Sequence, residues 1–275
     1  MRARPTLRRS AGAVAVVLLA AVAGLALGGM LSGGGDGGAR AQDGDPAALA
    51  HAAPAAGGPT DFSPGAARSE PARGVAIVAR GRRVSVAVHA RPGGGGGRVR
   101  RVQRRTVDGR RLPVVFSVLA RRGGWLKVEL PVRPNKSRGW VRAQDVRLAR
   151  TPYRIEIRLR DHRLIVFAHD RATLRAPIAV GRAVSPTPTG RYFVADLLRP
   201  PDPNGFYGPY ALGLSAYSPV YTSFAGGDGQ VGIHGTNTPR VLGSDVSHGC
   251  IRVSNATVTR LARLVPLGTP VRIRT

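Results

Sequence analysis

One cysteine, two lysines, two tryptophans and 15 acidic residues in a chain of 275 set the first limits. A single thiol excludes an internal disulfide framework and any zinc site built on several cysteines. It does not exclude an oxidising compartment. The shortage of acids against 42 basic residues leaves a formal charge of +27, which calls for an anionic partner or surface. Nucleic acid and an anionic cell envelope are the two candidate classes. Nearly all of that charge is arginine, since Lys127 and Lys136 are the lysines. The prominence of Ala, Gly, Arg and Pro also suits a GC-rich genome, which would supply part of the charge as mutational bias.

What is present at the N-terminus bears on compartment. "MRARPTLRRS" is basic, and the run from Ala11 to Leu31 carries no charge. A basic segment followed by an apolar run has the form of an export signal. The run is also about as long as the roughly 20 residues a spanning helix needs, so residues 1–31 are expected to be either a cleaved signal or a membrane anchor. A small-x-small cleavage site, "ARAQD", follows at Ala39–Asp43, and no cysteine is available for lipid attachment there. The chain is therefore expected to be exported and extracytoplasmic, in the cell wall or periplasmic space. An exported protein rarely meets DNA, which moves the charge argument from nucleic acid to anionic wall polymers. Residues 32–74 hold Gly, Ala, Pro and a few acids with almost no large apolar residue. Such a segment buries too little surface to offset ordering and is expected to be a disordered linker.

Between 75 and 150 the character changes. "GVAIVAR", "RVSVAVHARP", "LPVVFSVLARRGGWLKVELPV" and "RGWVRAQDVRL" are short β-branched runs broken by Gly and Pro, the pattern of a small all-β module. This segment resembles a bacterial SH3-like domain, with Trp125 and Trp140 at that family's aromatic strand positions and Gly93–Gly97 as a loop insertion. Core packing is the simpler role for both tryptophans. The segment holds 20 basic and 3 acidic residues, a net of +17, against a net of +8 for residues 151–275. Most of the charge lies away from Cys250.

Residues 151–275 continue as strands: "RIEIRLRDHRLIVFAHD" is a hairpin turning near Asp161 and His162, followed by "LRAPIAVGRA", "GRYFVADLL" and "PVRIRT". Only "NATVTRLARLV" has helical spacing, with Val258, Leu261 and Leu264 on one face. The lone cysteine stands in "SDVSHGCIRVS" just before that helix, among Ser247, His248 and Gly249 rather than among apolar neighbours. Two of the six histidines, His234 and His248, lie near it in sequence. An imidazole or a helix N-terminus beside a thiol raises its thiolate fraction, and Gly249 lets backbone approach a reacting carbonyl. Cysteine acyl transfer is one reading. One Cys with two His is an unusual set for structural zinc, and that is the other.

"IHGTN" (233–237) followed by "SHGCIRVSN" (247–255) is similar to the His-Gly-Thr … Ser-His-Gly-Cys-Ile-Arg signature of the bacterial L,D-transpeptidases, the YkuD-like catalytic domain. "VSPTPTGRYFV" (184–194) and "LVPLGTPVRI" extend the resemblance over roughly 152–275. It implies a mainly β fold: a small SH3-like β-barrel module over 75–150, then a β-sandwich catalytic domain over 151–275 with a short helix after the catalytic loop. It implies Cys250 as nucleophile and His234 as base, its ring oriented by the carbonyl of Gly235. Ser247 and Gly249 would shape the loop, with the amides of Gly249 and Cys250 facing the oxyanion. His248 would line the site, and Arg252 would pair with a substrate carboxylate. Tyr207, Tyr210 and Tyr217 fall in a lid or cleft wall, where aromatic packing is the simpler role. The implied reaction joins the third residues of two peptidoglycan stem peptides through a thioester, without metal or cofactor. The alternatives keep the thioester and use water as acceptor, or make the chain an inactive basic wall-binding protein.

Overall fold

The computed structural model describes residues 53–54, 74–93, 99–105, 111–223 and 227–275. The expected signal or anchor, most of the expected linker and residues 94–97 of the glycine insertion lie outside the described residues. Among the described residues no helix is long and apolar enough to cross a membrane.

A two-residue strand, β1 (Ala53–Pro54), lies against Leu198 and Arg199. The first sheet then comprises β2 (Ala76–Gly81), β3 (Ser85–His89), β4 (Val99–Arg105), β5 (Arg111–Leu112), β6 (Val115–Arg122), β7 (Trp125–Glu129), β8 (Arg138–Arg142) and β9 (Val146–Thr151). Their spatial order is β5-β4-β3-β8-β7-β6-β2-β9. Period-two alternation builds its core: Val86 and Val88 of β3, Leu126 and Val128 of β7 and Val141 of β8 turn inward onto Phe116 and Val102. The intervening residues take the other face. Both tryptophans are on that outer side, half-buried, which departs from the core role expected of them. Trp125 meets the edge of His89 at 4.9 Å with the Arg142 guanidinium 5.5 Å from its ring, and Trp140 pairs across strands with Lys127 and His89.

Beyond Pro152 the second layer is made of β10 (Tyr153–Arg158), β11 (Arg163–Ala168), β12 (Arg171–Pro177), β13 (Val180–Gly181), β14 (Gly190–Arg199), β15 (Ala211–Tyr217), β16 (Gln230–His234), β17 (Asp245–Ser247), β18 (Ile251–Arg252) and β19 (Pro270–Arg274), with one helix, α1 (Asn255–Leu264), before β19. The main sheet runs β12-β11-β10-β19-β14-β15-β16-β18, and β13 pairs with β17 apart from it. Strand β14 joins its two halves: Gly190–Phe193 pair with β19, whereas Val194–Leu198 pair with β15. The ladder is irregular between Val194 and Asp196, where the strand changes partner. Ile155, Ile157, Leu164, Leu212, Leu214, Ile233 and Ile251 close one core, capped by Val258 and Leu261 of α1. Ser254 starts that helix by accepting from the Thr257 amide at 3.1 Å.

The described residues of both sheets belong to one compact unit. The loop after β7 supplies much of the seam. Arg133 donates to the carbonyls of Ser218, Tyr221 and Asp228 at 2.7–2.9 Å, and Asn135 exchanges two hydrogen bonds with the backbone of Tyr217. Gly268 lies against Val78 so closely that a Cβ there would collide with it. Arg104 of β4 forms an ion pair with Asp196 of β14.

Candidate active site

Strands β16 and β18 run parallel, with Ile233 opposite Ile251 and His234 opposite Arg252. Both isoleucines are fully buried on the core side and fix the register. Because side chains alternate, His234 and Arg252 share the other face, and Cys250, two residues before Arg252, lies on it too. The Cys250 sulfur receives the Gly232 N–H at 3.5 Å, one strand across and two residues before His234. The sheet thus brings the cysteine and the first histidine of the sequence motif to one surface.

His234 is 2 % exposed. Its Nδ1–H donates to the Gly235 carbonyl at 2.7 Å, which fixes the tautomer and leaves Nε2 as an acceptor. The rings of Tyr207 and Phe206 stand 4.9 and 5.7 Å from the imidazole. Burial, helped by the nearby Arg252 charge, pushes its pKa down to about 3. Burial also pushes the Cys250 thiol up, against the smaller opposing effects of the Gly232 N–H and Arg252. Desolvation wins on both groups, so at neutral pH the resting site holds a neutral thiol and a neutral imidazole. A helix-induced thiolate is not what these surroundings favour, and α1 begins five residues beyond the sulfur.

The loop between β17 and β18 is held from below. Ser247 Oγ donates to the Cys250 carbonyl at 2.6 Å and accepts from the Gly249 amide at 3.1 Å. That amide is therefore turned inward, away from the oxyanion role expected for it. Gly249 has φ +117°, a conformation that favours glycine. Its carbonyl accepts from Thr187 Oγ1, which also receives the Gly181 amide, both at 2.9 Å. The "TPTG" segment is accordingly the cradle of the cysteine loop. His248 is half-buried, accepts at Nε2 from the Arg182 guanidinium, and lies 5.8 Å from the Tyr221 ring.

Arg252 is 4 % exposed, with its guanidinium 4.4 Å from the Phe206 ring centroid. It forms the floor of the site rather than a rim that greets a carboxylate. Tyr207 and Tyr217 are buried, and Tyr217 donates to the Pro131 carbonyl at 2.9 Å, so both pack. Tyr210 accepts from Arg199 at 2.8 Å. The sequence reading assigned no role to Asn255. Its Oδ1 accepts from the Thr236 amide at 2.9 Å and fills the space that a side chain at Gly235 or Gly208 would occupy. Its place at the end of the quoted motif was the available signal.

The family model for the YkuD L,D-transpeptidase catalytic domain matches residues 152–273. L,D-transpeptidase YqjB of Bacillus subtilis is 31% identical over 133 residues, which cover 44% of this chain and 70% of that protein. The chain belongs to the L,D-transpeptidase family. By name, YkuD proteins of Bacillus licheniformis and Bacillus subtilis are relatives too, 40% and 38% identical over 122 residues. Those matches cover 44% of this chain and 66% of either relative, a little under two thirds of their length. Among solved structures, an L,D-transpeptidase from Mycobacterium smegmatis aligns over 59% of this chain and 91% of its own, at TM-score 0.39 and 15% identity. One from Enterococcus faecium aligns over 45% and 50%, at TM-score 0.36 and 22% identity. The matched L,D-transpeptidase segment contains Cys250, His234 and the loop residues around them.

Proposed function

We propose that this L,D-transpeptidase is an exported enzyme that cross-links peptidoglycan stems between their third residues. The observation that carries the chemistry is the shared face of β16 and β18, with Cys250 beside Gly232 and the tautomer of His234 fixed by Gly235. The neutral imidazole takes the thiol proton at Nε2 as the sulfur attacks the carbonyl of the third stem residue, diaminopimelate or lysine. A C–S bond forms, the amide to the terminal D-alanine breaks, and the proton passes from His234 to the departing amine. The thioester is then opened by an amine of a second stem, whose surplus proton returns through the same imidazole. The Cys250 amide serves as oxyanion donor, since the Gly249 amide is engaged by Ser247. His248 and Arg182 border the entrance, and Arg252 sets the field beneath the reacting pair.

The remaining features fit an enzyme working against the wall. Residues 1–31 act as signal or anchor, 32–74 as tether apart from the short strand Ala53–Pro54, 75–150 as an SH3-like module and 151–275 as the catalytic domain. The module's outer face carries Trp125, Trp140, His89, Lys127 and Arg142, a surface suited to anionic wall polymers through ring contacts and diffuse charge. Mass spectrometry of the full chain mixed with a disaccharide-tetrapeptide tests the acyl-transfer reading. A cross-linked dimer with loss of one D-alanine is the expected product. Trimming to tripeptide alone would make water the acceptor, and unchanged substrate would favour the inactive wall-binding protein.

A further inference from the structure

A second site lies where the two sheets meet. A cleft of about 410 Å³ is lined by Glu129, Lys136 and Arg138 from the first sheet and its loop, and by Thr189, Gly190, Arg191 and the end of β19 from the second. Thr189 and Gly190 end the segment whose Thr187 holds the cysteine loop, but none of the lining residues is Cys250, His234, His248 or Arg252. Five of the lining side chains are cations: Lys136, Arg138, Arg191, Arg272 and Arg274. Arg274 is taken by Glu156 at 2.6 Å. Among the described residues the other four make no ion pair, and they remain exposed. Glu129 stands apart from them. It is 5 % exposed, yet its Oε1 has no hydrogen-bond partner among the described residues, and no cation comes within ion-pair distance. Burial pushes its carboxyl up to about 7, only partly opposed by Arg138 and Arg191.

A buried carboxylate oxygen left without a partner costs free energy and needs an explanation. Here the opposite charges face one another across a ligand-sized gap instead of closing on each other. A group that bridges them must offer a donor to Glu129 and anionic oxygens to the guanidiniums, whose fork geometry suits carboxylate. An α-amino-acid head has both, one carbon apart. We propose that this cleft binds an amino-acid zwitterion, its ammonium on Glu129 and its carboxylate on Arg138 and Arg191. Free amino acid and the exposed amino-acid end of a peptide share this chemistry. The inference goes beyond acyl transfer and does not require it.

The test is calorimetric titration of the full chain with diaminopimelate and with two molecules that each lack one of its charged groups. Diaminopimelate carries both charges, pimelate only the carboxylates, and cadaverine only the amines. Saturable binding of diaminopimelate, with pimelate and cadaverine each weaker by at least about tenfold, is expected, since a charged hydrogen bond is worth that much. Glu129→Gln and, separately, Arg191→Gln should each weaken diaminopimelate by at least about tenfold. Arg191 is exposed, so its variant keeps the test sound if the Glu129 variant unfolds. Cys250→Ala should bind as the parent does, so the result does not depend on the acyl-transfer chemistry. A stem tripeptide ending in diaminopimelate, titrated alongside, identifies the peptide end as the source if it binds more tightly than the free amino acid. Equal binding of pimelate would reduce the cleft to an anion site and overturn the proposal. So would the absence of saturable diaminopimelate binding, or binding indifferent to both substitutions.

Discussion

At Cys250 two influences compete, and their outcome decides the chemistry. The Gly232 N–H and the Arg252 charge favour thiolate, but burial outweighs them and holds the thiol up. Alkylation of Cys250 by iodoacetamide should therefore be slow at neutral pH and accelerate through and above the ordinary thiol range near 8.5. Rapid alkylation at pH 6 would show a preformed thiolate. His234 gives a complementary acid effect. Its folded pKa of about 3 lies below the unfolded value, which is about 6.5. The unfolded chain therefore takes up a proton first, and stability should fall as pH drops from 6.5 towards 3. Melting temperatures across that window should fall less steeply for His234→Asn than for the parent. His234→Ala should lose about 10² to 10⁴ in turnover as a general base is removed. His248, placed on Arg182, should matter less. Turnover of a stem tetrapeptide ranks the two variants, and the reverse order would exchange their roles.

At the scale of elements, the cysteine loop depends on two residues that do no chemistry. Gly249→Ala has room for its methyl, since the nearest atom would be 3.6 Å away, but φ +117° is unfavourable for a side chain. A loss of about 1–2 kcal/mol is expected, with activity falling further as Ser247 and Thr187 lose their grip on the loop. Asn255→Ala leaves the Thr236 amide without its acceptor and should cost about 1–3 kcal/mol in urea unfolding. Most elements were legible because their patterns are local. Alternation marked β3, β7 and β8, and the spacing of Val258 and Leu261 marked α1. Strand β4, "VRRVQRR", was missed because Val102 is its buried side chain and arginines mask the alternation. Strand β15 was missed for the opposite reason. Every residue from Ala211 to Tyr217 is buried, so no alternation survives, and the segment resembled a cleft wall. The motif named His234 and Cys250, yet it carried no sign that Arg252 is a floor or that the Gly249 amide is occupied. Those depend on partners as distant in sequence as Phe206 and on the turn of the loop itself.

The whole molecule places a strongly basic sheet against the catalytic layer, and Arg133 shows how they are held. Its guanidinium satisfies three carbonyls of the loop after β15. Arg133→Ala should lower stability by about 1–3 kcal/mol, read as a drop in melting temperature without a change in Cys250 alkylation. The outer face of the same sheet bears on retention. Charge screening acts over about 8 Å at physiological salt, so binding to isolated cell walls through Arg101, Arg122, Lys127 and Arg142 should weaken steeply as salt rises. Changing those four to glutamine should reduce retention and flatten its salt dependence. Equal retention would mark the charge as compositional. The chemistry proposed for this enzyme comes down to one covalent bond, the thioester at Cys250. Intact-mass measurement of the full chain, acid-quenched shortly after mixing with a disaccharide-tetrapeptide, tests it most directly. A hydroxylamine-sensitive adduct on Cys250 with the mass of the donor less D-alanine, absent from Cys250→Ala, is expected; cross-linking by that variant, or turnover with no adduct at Cys250, would rule the thioester out.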